Sequence, residues 1–118
     1  MGSENLQIRT KTFALRILKL VEALSEGRSS RIFANQIGRC ACSVAANYRA
    51  ACRAKSKADF IAKLGIVEEE ADETLFWLEM IRDAEIMKSE KLEPLMEEAN
   101  ELIAITVSSI NTARGGKR

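Results

Sequence analysis

Three groups of side chains in this sequence are equipped for chemistry: the cysteines Cys40, Cys42 and Cys52, the consecutive acids Glu68, Glu69 and Glu70, and the arginines Arg31, Arg39, Arg49 and Arg53. Nucleophilic or metal chemistry asks more of its neighbours than the first two groups receive. The sequence has no histidine. The usual base for a Ser or Cys nucleophile is therefore missing, and the Glu-x-x-His ligand sets of helical di-iron proteins cannot be built. Successive helix positions point about 100° apart, so the three glutamates face different sides and make no ligand cluster. By the same geometry Cys40 and Cys42 point about 200° apart and cannot bridge locally. The cysteines are read as small packing residues of a reducing compartment. With no glycine-rich phosphate loop either, no catalytic residue, metal or cofactor is expected.

The arginines carry a different signal. At 100° per residue, Arg31, Arg39, Arg49 and Arg53 fall within about 80° of one another on one helix, opposite its apolar line. Between them lie Gly38, Cys42, Ala45, Ala46 and Ala50, small enough for another helix to approach closely. Three uses of this stripe are open: a solvated face, a contact between subunits, or a phosphate-binding surface, the last without interleaved aromatics on which bases would stack. Another helix carries a counterpart, with Ile66, Phe76, Trp77 and Met80 interspersed among Glu69, Glu70 and Glu73 away from its core line. These side chains either pack at the edges of the fold or lie in an oligomer interface, where aromatics are enriched. A basic stripe on one subunit would complement a glutamate-and-aromatic stripe on the next. Because the two surfaces differ, such a contact is head-to-tail and can close a ring.

The elements that must position these groups are all helical. At 118 residues the chain is one domain, and 47% hydrophobic residues exclude a disordered tail. Its apolar runs fall short of the roughly 20 residues that cross a bilayer, and Met1 to Arg9 lacks the apolar core of a signal peptide, so a soluble, cytoplasmic protein without membrane partners is expected. One proline and six glycines leave few breakpoints. The first helix is predicted over about 7–25, with Phe13, Ile17, Leu20, Val21 and Leu24 on one face and Gly27 as a left-handed stop. Ser29 or Ser30 is expected to cap a second, 30–54, whose core line is Phe33, Ile37, Cys40, Val44, Tyr48 and Ala51. Ser56 and Asp59 form an approximate capping box for a third, 57–85, with Phe60, Leu64, Val67, Ala71, Leu75 and Leu78 inward. The fourth, about 90–113, presents Leu95, Ala99, Leu102, Ile103, Thr106 and Ile110, with Pro94 in or near its first turn and fraying at Gly115 and Gly116. Asn47, at the edge of the second helix's apolar face, is expected to be a hydrogen-bonded structural group. Short links between four amphipathic helices predict an all-α, up-down-up-down antiparallel four-helix bundle.

Charge divides this bundle in two. Residues 1–57 hold eleven Lys/Arg and three Asp/Glu, a net of +8, while residues 58–118 hold seven and fourteen, a net of −7. Such a split suits contacts between subunits or with a polyanion, and says nothing of catalysis.

The segments Arg39-Cys40-Ala41-Cys42-Ser43-Val44-Ala45-Ala46-Asn47, Ser56-Lys57-Ala58-Asp59-Phe60-Ile61-Ala62-Lys63-Leu64 and Glu70-Ala71-Asp72-Glu73-Thr74-Leu75-Phe76-Trp77-Leu78 occur in a meaningful order. Together with Phe13-Ala14-Leu15-Arg16-Ile17 and Glu101-Leu102-Ile103 they cover nearly the whole chain. In them the sequence resembles the bacterial four-helix-bundle proteins encoded within intervening sequences of large-subunit ribosomal RNA genes. The resemblance implies a left-handed bundle, assembly as a homopentamer and no established enzymatic activity. It also implies a relative in the accessory protein of diversity-generating retroelements, a basic pentameric ring that binds nucleic acid and a reverse transcriptase. This sequence departs from the usual pattern in placing Cys40 and Cys42 where Ser and Thr are common, and Arg49 and Ala50 where a glutamate often follows. Those changes make the second helix more basic. The leading expectation is a non-enzymatic oligomer that binds RNA or a nucleoprotein partner through Arg31, Arg39, Arg49 and Arg53. Its subunits would meet through Ile66, Glu69, Glu73, Phe76, Trp77 and Met80. The alternative is a protein-only scaffold whose arginines are used between subunits.

Overall fold

The computed structural model describes residues 3–115. They form four helices, α1 (Ser3–Ala23), α2 (Arg28–Cys52), α3 (Lys57–Asp83) and α4 (Ser89–Ala113), with no strand among the described residues. Each helix packs on the next in chain order, and α4 returns to α1 along the thinnest seam. At one end Phe13 and Ile17 of late α1 meet Phe33 and Ile37 of early α2, Leu78 and Ile81 of late α3, and Leu92 and Leu95 of early α4. At the other end Val44 and Tyr48 of late α2 meet Leu64 and Val67 of early α3 and Ile110 of late α4. Consecutive helices therefore run in opposite directions, in a bundle of 46 × 26 × 20 Å.

The periodicity of α2 explains its packing: every position of its expected core line is buried. On α3 the buried line also takes in Thr74 and Ile81, while Phe60 and Leu75 are only partly covered. Burying a side chain the size of Ile37 or Leu78 contributes about 1.5–3 kcal/mol, so these two clusters dominate the fold's stability. Three buried threonines are satisfied inside their own helices. Thr10 donates to the Leu6 carbonyl at 2.8 Å, Thr74 to that of Glu70 at 2.8 Å, and Thr106 to that of Leu102 at 2.6 Å.

The helix ends hold most of the corrections. Ser29 and Ser30 do not cap α2; both lie inside it, and Ser30 is buried. The N-cap is Gly27, whose φ of 155° belongs to a backbone region open almost only to glycine, and its carbonyl accepts the Arg31 N–H at 3.0 Å. Gly27 thus starts α2 rather than stopping α1, which has already ended at Ala23. The cap at Ser56 is as expected: its Oγ accepts the Asp59 N–H at 3.0 Å, and the Asp59 carboxylate reaches back to the Lys55 N–H at 3.4 Å. α3 stops at Asp83, short of Glu85. There the Ile86 N–H donates to the Ile81 carbonyl and the Glu85 N–H to that of Arg82, a Schellman closure that forces Glu85 to a left-handed φ of 58°. Pro94 sits in the second turn of α4, near its first turn as expected, where its missing N–H forgoes a single bond of the ladder. Gly115 turns left-handed beyond α4, at φ 76°, and Gly116 lies outside the described residues.

Candidate interaction surfaces

The four arginines of α2 do not share one fate. Arg39 is taken by α3: its guanidinium donates to Glu73 at 2.8 Å, Glu70 at 3.5 Å and the Cys40 sulfur at 3.2 Å. Arg31, Arg49 and Arg53 are exposed and join no ion pair within the chain among the described residues. Arg49 and Arg53 are continued by exposed Lys55 in the α2–α3 turn and exposed Lys57 at the start of α3, a basic run with no acid before Asp59. One end of the bundle is therefore more basic than the stripe alone foretold. The run 49–57 carried that signal in the sequence, but only the turn brings its charges around one helix end.

The partners of Arg39 build a closed polar knot on the α2–α3 seam. Glu70 and Glu73, three apart on one face of α3, face Cys40 of α2, and the three ligand-type atoms lie within 4.8 Å of one another. Burial first, and then the neighbouring Glu73 carboxylate, push the Cys40 thiol up to about 12. The protonated thiol, the Trp77 indole N–H and Arg39 all donate to Glu73 and hold its carboxyl below the usual range. A thiol kept protonated is a poor metal ligand, and the guanidinium already supplies a cation at the centre. This juxtaposition of two helices was not legible in the Glu68-Glu69-Glu70 run. Cys42 is exposed, Cys52 half-buried, and all three cysteines are free. Asn47 donates to the Ser43 carbonyl at 3.0 Å and the Ser43 hydroxyl at 2.9 Å, so it is hydrogen-bonded within its own helix.

On the outer side of α3, Ile66, Phe76 and Met80 are 37%, 48% and 36% exposed, and Glu69 is exposed beside them. Trp77 is different. It is half-buried, tilted against Phe33 with ring centroids 5.8 Å apart and edge-on to Phe76 at 4.9 Å, and belongs to the margin of the core. Glu73 is likewise turned toward Arg39. Of the six residues expected to face another subunit, Ile66, Glu69, Phe76 and Met80 form the outward ridge.

A second apolar surface lies where the sequence drew no attention. Ile8 and Leu15 on α1 are 62% and 59% exposed, and Leu18 is 38% exposed. They flank a groove of about 670 Å³ between α1 and α2, floored by Cys42, Ala45 and Ala46 and rimmed by Lys11 and Arg49. The small residues of α2 thus make room on the α1 side, where Leu18 leans over Gly38. The signal was present as a second heptad line on α1, at positions 8, 11, 15 and 18, roughly opposite the core line. Farther round, Arg9 clamps α1 to α4 through Glu98, at 2.7 and 2.8 Å, and Glu101. Those hydrogen bonds to Glu98 and Glu101 raise the Arg9 pKa still further above neutrality.

Among the described residues no helix is long and apolar enough to cross a membrane. Comparison with protein families matches residues 4–108 to the model described as 23S rRNA-intervening sequence protein. No curated protein matches the chain. Among solved structures it is similar to a protein of unknown function from the S23 ribosomal protein family of Bacteroides thetaiotaomicron VPI-5482. The two are 33% identical, the match covers 94% of this chain and 99% of the other, and the TM-score is 0.87.

Proposed function

The chain belongs to the 23S rRNA-intervening sequence protein family, and from that premise we propose that it is a non-enzymatic homo-oligomer that binds RNA through the basic end of α2. The single observation that carries this reading is the division among its arginines. Arg39 is neutralised by Glu70 and Glu73, whereas Arg31, Arg49 and Arg53 stay exposed and join no ion pair among the described residues, two of them joined by Lys55 and Lys57. Phosphate contacts gain from release of condensed counterions, and a ring of subunits repeats a modest contact until the sum is useful. A homopentamer is what the resemblance in sequence implies, and a head-to-tail contact is the geometry that closes such a ring.

Titration of a labelled RNA at several salt concentrations tests the reading. Affinity falls steeply with salt, depends little on sequence, and weakens in the Arg53→Gln/Lys55→Gln variant while the particle mass stays unchanged. Absence of binding at low salt overturns it. A protein-only scaffold is the second reading, favoured by the position of Arg49 on the rim of an apolar groove rather than on open surface. It gains if the wild type ignores RNA and loss of Arg49 dissociates the oligomer.

A further inference from the structure

We propose that the α1–α2 groove is the seat for the outer ridge of α3 from a second copy of this chain. The inference rests on the reading of the protein as a homo-oligomer and assigns the surfaces that meet. The ridge carries Ala62, Ile66, Glu69, Phe76 and Met80, and with Glu73, bent from the same line onto Arg39, the spacing of four and three repeats without interruption. That is the heptad seam of a helix that packs against other helices, and here it lies outside the bundle's own core. Such a ridge needs a hole between two helices, floored by small side chains. The groove offers one, with Ile8, Lys11, Leu15 and Leu18 along α1 and Cys42, Ala45 and Ala46 beneath.

Charge fixes the partner and the register. Lys11 and Arg49 rim the groove and Glu69 stands on the ridge, all three exposed and in no ion pair within the chain among the described residues. When the ridge is laid parallel to α1, Ile66 falls on Ile8, Glu69 on Lys11 and Phe76 on Leu18, since both lines step by three, four and three. The fourth pair sets Glu73 against Leu15, and Glu73 is already bent away onto Arg39. The antiparallel alignment that sets Phe76 on Ile8 would instead ask Lys11 to compete with Arg39 for Glu73. A parallel contact also satisfies symmetry. Within one bundle α1 and α3 run in the same direction, so subunits related by rotation about an axis along the helices bring α1 of one beside α3 of the next in parallel.

Light scattering at micromolar concentration on the wild type, Lys11→Glu, Glu69→Lys and the double exchange tests the assignment, with circular dichroism as the check on folding. Each single exchange is expected to weaken association at least tenfold and shift the mass toward 13.1 kDa, and the double exchange to recover most of the wild-type mass. Singles that keep the wild-type mass, or a double exchange no better than the singles, overturn the seat while leaving oligomerisation standing. A wild type that is itself monomeric overturns both. Phe76→Cys gives a readout independent of affinity: under an added oxidant it cross-links two copies, and Cys42→Ser abolishes the link. A cross-link that survives Cys42→Ser, or none at all in an oligomeric Phe76→Cys, places the ridge elsewhere.

Discussion

The two flanks of α2 are built on opposite plans. Toward α3, Arg39, Cys40, Glu70, Glu73 and Trp77 bond to one another, and Phe33 covers the indole ring. Toward α1, Leu15 and Leu18 stand exposed over a cysteine and two alanines, while Lys11 and Arg49 join no ion pair among the described residues. Both flanks use charge and apolar surface, but only the first consumes them internally. A bundle of four helices needs each helix to seal against two neighbours, and sealing leaves neither an unpaired cation nor an uncovered leucine. The open flank is therefore where something outside the chain has a place. The closed flank is where mutation tests the fold.

The largest expected difference comes from shortening one side chain on each flank. Trp77→Ala removes a half-buried ring that contacts Phe33 and Phe76, and lowers stability by about 2–3 kcal/mol, below the full cost of a buried tryptophan because one edge is already wet. Leu15→Ala on the open flank changes the dilute chain by less than about 0.5 kcal/mol. Urea unfolding below the concentration of assembly gives both values. Equal costs would mean that the groove is closed in solution and the contrast between flanks is lost.

That contrast was only half legible in the sequence. The core line of α2 is an unbroken series of apolar residues at helical spacing, and its burial is complete because nothing on the helix competes with it. α3 is harder. Apolar residues on two of its faces dilute the periodicity, and Ile81 and Thr74 enter the core unannounced. Ile8, Leu15 and Leu18 leave the core line of α1 undisturbed, and only their second heptad gives them away. Arg39 shares its angle with Arg31, Arg49 and Arg53 but not their exposure to partners, because angle on one helix says nothing of what a neighbouring helix offers. At Gly27 and Ser30 the cause is similar: composition marks the turn, while chain path decides which residue caps the helix.

A smaller effect, of opposite sign, is expected on the open flank. An added Cβ at Gly38 would meet the Leu18 Cδ2 at 3.6 Å, an ordinary contact, and relieves the entropic penalty of a glycine within a helix. Gly38→Ala should raise stability by about 0.5–1 kcal/mol. Gly65→Ala on α3, where the new methyl meets no atom within 4 Å, supplies the reference for propensity alone. A loss at Gly38 with a gain at Gly65 would show that α1 lies tighter on α2 than the groove allows, weakening the contrast.

The smallest effect concerns the closed flank and is read in acid. Donation from the Cys40 thiol, then from the Trp77 indole and Arg39, holds the Glu73 carboxyl below the usual range. A carboxylate whose folded value is depressed contributes stability above the ordinary glutamate range and loses it as pH falls through the depressed value. Arg39→Gln removes one donor and the countercharge but keeps the thiol and the indole, so Glu73 moves back toward ordinary values without reaching them. The gap in urea midpoint between wild type and variant should be full at neutral pH and close progressively as pH falls below the ordinary glutamate range and through the depressed value of Glu73. Because Arg39 is half exposed, the gap should also narrow as salt rises. A gap that ignores both pH and salt would mean that Arg39 holds the seam with its aliphatic stem rather than its charge. The closed flank would then owe its seal to Trp77 and Phe33, and the polar knot would be a consequence of their packing.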